Sequence, residues 1–183
     1  MLYTRKGDDG KTRTFGCKDK VSKASHIAEA LGSCDEVNSF LGLVKVKASS
    51  TNYSLLSTSF PDIIHWIQEG LFIVQAELAG AEKSITEERV KKVEEYTDTA
   101  EKELPPIKTF FISGGTELAA LCDVSRTMVR RAERRVIAAA DQGGTKVSDN
   151  TKAFLNRLSS LLYALARLSN HKSGINERPP TYE

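Results

Sequence analysis

The stretch Ser125-Arg126-Thr127-Met128-Val129-Arg130-Arg131-Ala132-Glu133-Arg134-Arg135 decides how the chain folds. It holds five arginines and one glutamate, with no glycine or proline to interrupt a helix. At about 100° per residue, Leu121, Ser125, Met128, Val129, Ala132, Val136 and Ala139 share one side, which predicts an amphipathic helix with that side in the core. Arg126, Arg130 and Arg134 then run along one edge of the apolar stripe with Glu133 beside them, while Arg131 and Arg135 point further round. A row of planar donor forks suits a polyanion such as triphosphate, because each fork can hold two oxygens. Set against this is the plainer reading of a solvated or salt-bridged helix face.

Outward from that helix the same periodicity recurs. Ile27, Leu31, Cys34, Val37, Leu41 and Val44 predict a helix from Ser25 to about Lys47, with Asp35 and Glu36 in its middle. Residues 49–59 read as a Ser/Thr-rich loop, and Pro61-Asp62 as the start of a helix carrying Ile63, Ile64, Ile67, Leu71, Val74 and Leu78. Residues 86–104 form a charged, peripheral third helix that Pro105-Pro106 ends. Ile107 to Gly115 is short, apolar and β-prone, stopping just before Thr116, a residue able to cap the arginine helix. If that run is extended, Phe110 and Phe111 cannot both face the core, so one ring looks outward to where a ligand could meet it. After a polar turn over 142–150, residues 149–172 predict a last helix with Phe154, Leu155, Leu158, Leu161, Leu162, Leu165 and Leu168 in one stripe. The tail 176–183 is expected to be extended. Five helices without a convincing sheet give an all-α, five-helix antiparallel bundle preceded by an extended N-terminal segment.

The 183 residues suit one domain spanning 1–183, at 40% hydrophobic content. A net charge of +2 from 26 basic and 24 acidic residues excludes the broad basic excess of a non-specific nucleic-acid binder. Cys17, Cys34 and Cys122 show neither Cys-x-x-Cys nor zinc spacing, which fits a reducing compartment. With no hydrophobic leader and no membrane-spanning run, the expected location is the cytoplasm. Residues 1–23 are polar. Gly7-Asp8-Asp9-Gly10-Lys11-Thr12 is no P-loop, since Arg5 occupies the place of the required first glycine and no apolar strand precedes it. Its glycines, hydroxyls and cations could still wrap an anion.

Five blocks in order resemble the helical-bundle ATP:cob(I)alamin adenosyltransferases, the type associated with propanediol utilisation and mitochondrial methylmalonate metabolism. They are Tyr3-Thr4-Arg5-Lys6-Gly7-Asp8-Asp9-Gly10 with Thr14, Gly32-Ser33-Cys34-Asp35-Glu36, Ser113-Gly114-Gly115, Arg126 to Arg134, and Phe154-Leu155-Asn156-Arg157-Leu158-Ser159. The resemblance runs almost end to end. It implies transfer of the 5′-deoxyadenosyl group of ATP to the cobalt of cob(I)alamin, in a homotrimer whose active sites lie between subunits. By position it implies ATP contacts at Thr4, Arg5, Lys6, Gly7, Asp8, Arg13, Thr14, Lys23, Arg130, Arg131, Glu133, Arg134 and Asn156. It further implies Phe110 against the corrin and an intersubunit ion pair of Asp35 with Arg126, so that Arg130, Phe110, Asp35 and Arg126 form the catalytic set.

Magnesium is expected to be held mainly by the ATP phosphates, with no metal ligands from the protein. A flavin-type reductase and a receiving adenosylcobalamin-dependent enzyme are the expected partners, with neither nucleic acid nor membrane. Two positions depart from the family pattern. Ser113 stands where a proline is usual, and Arg13 replaces a small hydroxyl residue. Cobalt(I) is itself a strong nucleophile, so the protein needs to position the reactants and neutralise triphosphate, with no activated Ser, Cys or His. Two other classes stay open on the residues: a helical ATP-binding regulatory module without corrin chemistry, and a structural bundle whose arginines only pair across an oligomer interface.

Overall fold

The computed structural model describes residue 3 and residues 5–15, 19–142 and 145–182. Thr4 and Cys17, and the glycines at 143 and 144, lie outside the described residues. Five helices make up the bundle: α1 (His26–Ala48), α2 (Phe60–Leu78), α3 (Glu87–Glu103), α4 (Glu117–Asp141) and α5 (Asp149–Lys172). Each starts at a hydroxyl residue, Ser25, Ser59, Thr86, Thr116 or Ser148, whose side chain accepts a hydrogen bond from the backbone N–H three residues on. Such a cap satisfies a donor that the first turn cannot, at about 1 kcal/mol each. The start of α5 has a second acceptor, because the Glu77 carboxylate takes the Ser148 N–H (2.7 Å) and the Thr151 hydroxyl. That ties the end of α2 to the beginning of α5.

The apolar stripes read from the sequence meet in one core. The seven α5 residues from Phe154 to Leu168 are all fully buried, as are Val37, Leu41 and Val44 of α1 and Ile63, Ile67 and Leu71 of α2. Gly70 sits under the ring of Phe154, where a Cβ would come within 2.6 Å of Cζ. Only glycine lets α2 approach α5 this closely. Trp66 and Tyr96 close that corner, Trp66 meeting Tyr96 and Phe154 edge-on with centroids 6.0 and 6.2 Å away.

Along the bundle α1 packs against α2 and α4, α4 packs against α5, and α3 packs on α5. Because α3 lies against α5, the chain must cross the C-terminal end of α5 to reach α4. The irregular connection 104–116 makes that crossing.

Two local hairpins add to the helices. Lys11–Thr12 (β1) pairs antiparallel with Val21–Ser22 (β2), which brings the chain on either side of residues 13–20 together before α1. Ser54–Leu55 (β3) pairs with Thr58–Ser59 (β4) across Leu56 and Ser57, both left-handed at φ 48° and 62°. Two consecutive positive φ values make the tight hairpin turn that matches strand twist, and buried Leu55 anchors it. The β-prone run 107–115 forms no strand. No neighbouring strand offers it a ladder, and β propensity without a partner carries little weight.

Candidate active site

A cavity of about 650 Å³ opens between the 107–114 connection and the outer faces of α4 and α5. One wall is apolar, from Ile107, Phe110, Phe111 and Ile112; the other is polar, from Asp123, Arg126, Arg130, Ser160 and Tyr163. Phe110 is 78% exposed, whereas Phe111 is half-buried with the Arg167 guanidinium 5.0 Å from its ring centroid. The outward ring of the pair is therefore Phe110, and Phe111 sits beneath an arginine at the bundle edge. The volume falls in the range of small-molecule sites.

The α4 arginines divide by face. Arg131 pairs with Glu36, and Arg135 with Glu29 (3.2 Å) and Ser33 (2.6 Å), so both are turned to α1. Arg126 donates to the nearly buried Asp123 carboxylate (3.3 Å) and lies over the Tyr163 ring. Burial pushes the Tyr163 phenol above its ordinary pKa, with the nearby Arg167 charge opposing that rise. Arg130 and Arg134 are exposed, and the Arg130 guanidinium has no partner among the described residues. Arg134 donates to the Arg130 carbonyl, and Asn156 of α5 donates to Glu133 at 3.0 Å. This leaves one edge of α4 with two cations directed outward next to the cavity.

The second group of cations belongs to the segment that meets the C-terminal end of α4 through Thr14. In the N-terminal segment, Lys20 Nζ donates to the Lys6 carbonyl (2.6 Å) and to Asp9 (2.9 Å), while Lys23 Nζ donates to the Gly7 carbonyl (2.8 Å). The Lys20 hydrogen bond, with the Lys11 N–H, holds the Asp9 carboxyl below its usual range. Thr14, nearly buried, lines a smaller hollow with Ala139 and Gln142. Ala139 is nine residues from Arg130, roughly 14 Å along the helix axis. Arg134, five residues from Ala139, lies roughly 7.5 Å from it along the axis, between Arg130 and the level of Thr14.

Residues 2–169 match the family model described as cobalamin adenosyltransferase. The chain belongs to the cobalamin adenosyltransferase family. It is 35% identical to a corrinoid adenosyltransferase of Bacillus subtilis, covering 96% of this chain and 90% of that protein. It is 33% identical to the corrinoid adenosyltransferase PduO of Citrobacter freundii, where it spans 96% of its own length and 51% of the relative's. A solved variant of the PduO-type ATP:corrinoid adenosyltransferase from Lactobacillus reuteri, complexed with cobalamin and ATP, superimposes with a TM-score of 0.86 at 29% identity, covering 99% of this chain and 97% of that one.

Of the residues expected from the resemblance to contact ATP, Arg130, Glu133, Arg134 and Asn156 lie on one α4–α5 surface. Arg5, Lys6, Gly7, Asp8, Thr14 and Lys23 gather in the N-terminal loop, and Arg13 is exposed beside them. Arg131 stands apart, engaged with α1. Asp35 is exposed and does not meet Arg126 in its own chain. Glu36 faces Arg131, and Arg126 lies five residues earlier in α4, roughly 7.5 Å back along the axis. Periodicity alone missed Asp123, Asn170 and Glu177 in the cavity wall. A carboxylate three residues before Arg126, on the same side of the helix as Arg130 and Arg134, was the available signal for Asp123.

Proposed function

We propose that this chain transfers the 5′-deoxyadenosyl group of ATP to the cobalt of a reduced corrinoid, releasing triphosphate. The observation that carries the reading is the two-sided cavity, with an outward phenylalanine on one wall and, on the other, the Arg130 guanidinium, which has no partner among the described residues. A corrin face needs apolar contact, and a departing triphosphate needs fixed cations. Phe110 is the residue that meets the corrin, at the lower axial position. Displacing a lower ligand raises the potential of cobalt(II) by the axial-ligand effect that also tunes haem iron.

The nucleotide lies between subunits of a homotrimer, wrapped by the N-terminal loop of one and by Arg130, Arg134 and Asn156 of the next. Supporting this are the offset of Arg130 from the level of Thr14 along α4 and the position of Asp35 away from Arg126 within one chain. Both are reconciled if a neighbour supplies the complement, with Asp35 reaching the neighbour's Arg126. Magnesium comes with the nucleotide and neutralises phosphate oxygens. Among the described residues, no group of three or more His, Cys, Asp or Glu could hold a metal. Among the described residues no helix is long and apolar enough to cross a membrane; we place the chain in the cytoplasm as a single 1–183 domain. There a flavin-type reductase supplies the electron and an adenosylcobalamin-dependent enzyme takes the product.

The test is anaerobic incubation with Mg-ATP and chemically reduced cobalamin, following adenosylcobalamin by absorbance and triphosphate by chromatography in equal amounts. Protection of the chain from heat by Mg-ATP with neither product formed would replace the reading with an ATP-binding regulatory module. No protection and no product would leave a structural bundle.

A further inference from the structure

The Pro105–Gly115 connection carries Phe110, yet burial does little to fix it. Ile107, Phe110 and Ile112 are 53%, 78% and 63% exposed. What holds it is polar and comes from α5 and the segment after it. At one end, Arg167 Nη2 donates to the Pro105 carbonyl (3.3 Å), and its guanidinium covers the Phe111 ring. At the other end, Asn170 Nδ2 donates to the Gly114 carbonyl (2.8 Å), and Asn170 Oδ1 accepts from the Thr116 N–H (2.9 Å). Between them the Ile112 N–H donates to the Arg178 carbonyl (2.9 Å).

Arg167 and Asn170 are three apart on α5 and so share a face. Both are 4% exposed, amid an otherwise leucine-rich helix. A buried guanidinium and a buried amide are costly unless their donors are met. Here the partners of both side chains lie in the connection and in Glu177, whose carboxylate accepts from Arg167 Nε at 2.8 Å with only 15% of its side chain exposed. Undocking the connection would strand polar groups in the bundle, which makes the docked position the one that satisfies them. Gly115 fits the same arrangement: its φ is 104°, and a Cβ there would lie 2.3 Å from Asn170 Oδ1.

We propose that Arg167 and Asn170 are positioning residues, closed over by Glu177, which pin both ends of the Pro105–Gly115 connection and so hold Phe110 outward over the cavity. Phe111 is caught beneath Arg167, and the preceding ring, Phe110, stands in the open. The inference rests on the reading of Phe110 as the corrin contact, but the pinning can be tested without any corrinoid.

The experiment uses the full chain carrying Glu177→Ala, a change outside every helix, beside Glu177→Asp and wild type. Amide hydrogen exchange of the ligand-free proteins is the first readout. Exchange over 107–116 should rise about tenfold in Glu177→Ala, the scale of one lost charge-assisted hydrogen bond, with α1 and α4 unchanged and partial recovery in Glu177→Asp. The second readout is kinetic. In Glu177→Ala, kcat/KM for cobalamin should fall about tenfold while KM for ATP stays within about twofold. Unchanged exchange over 107–116 would overturn the pinning. Equal losses for cobalamin and ATP with a lowered Tm would overturn the positioning role in favour of general stability. If wild type makes no adenosylcobalamin, the proposed function fails, while the exchange result still decides whether the connection is pinned.

Discussion

Replacing Arg130 with alanine separates phosphate recognition from folding. The side chain is exposed on α4, borders the cavity and has no partner among the described residues. Alanine is at least as good a helix former, so the urea midpoint should stay close to that of wild type. Catalysis should not. One charge-assisted hydrogen bond from a guanidinium to a phosphate oxygen is worth about 1.5–3 kcal/mol, roughly a ten- to hundredfold loss in kcat/KM. Arg130→Lys should recover part of it, keeping the charge without the two-pronged fork.

Arg135→Ala is the matched control on the same helix. It removes a pair with Glu29 whose side chains are 41% and 49% exposed, worth at most about 1 kcal/mol in so open a setting. Its guanidinium faces α1, so activity should hold within a few fold. The assay is initial-rate formation of adenosylcobalamin and triphosphate under anaerobic conditions, with ATP varied. An Arg130→Ala protein that is folded and turns over near the wild-type rate would refute the phosphate role.

Asp35→Ala should leave the helical circular dichroism intact, since Asp35 is exposed in the single chain, yet weaken trimer formation in sedimentation runs. A fully active monomer would sink the shared-site arrangement. Phe110→Ala should cost at most about 1 kcal/mol of stability, because most of a ring of roughly 200 Å² is already in water. It should nevertheless remove the four-coordinate cobalt(II) signal from the electron paramagnetic resonance spectrum of enzyme, cob(II)alamin and Mg-ATP; an identical signal in variant and wild type counts against Phe110. Burial raises the Cys34 and Cys122 thiols from 9.0 to about 12, the neighbouring Asp35 and Asp123 charges adding to the effect. Since folding favours the protonated thiols, that stabilisation is fully present below pH 9 and is lost as pH rises toward 12. In a Cys17→Ser background, iodoacetamide at pH 8 should therefore label neither thiol until urea is added; rapid native labelling would contradict their burial.

The helices were legible because a stripe repeating every three or four residues has few other uses, and the Thr116 cap followed from its place before the arginine run. The Phe110–Phe111 pair was legible as a parity argument, although Phe111 reaches only the bundle edge and the run it belongs to pairs with nothing. The hairpin at 54–59 was hidden because its turn is Leu56–Ser57, without the glycine or asparagine that usually marks left-handed backbone. The partners of the arginines were hidden for a different reason. Arg167 meets Glu177 and Pro105, and Arg135 meets Glu29, across separations at which spacing along the chain says nothing about distance. Arg167 and Asn170 did leave a trace, as polar residues inside the leucine run of α5, a pattern that asks for partners without naming them.

The crossing of the 104–116 connection over the end of α5 bears on how the protein is made. The ribosome delivers all five α4 arginines before it delivers α5, so a nascent chain holds Arg130 and Arg134 while Arg167 and Asn170, the partners of the connection, are still unmade. Domains generally fold in the order of their synthesis, but here the inner face of α4 must wait for the last helix to cover it. Corrin recognition is thus a late event in the life of each molecule. A chain clipped before Arg167 and Asn170 would lack the side chains that meet the connection at Pro105, Gly114 and Thr116.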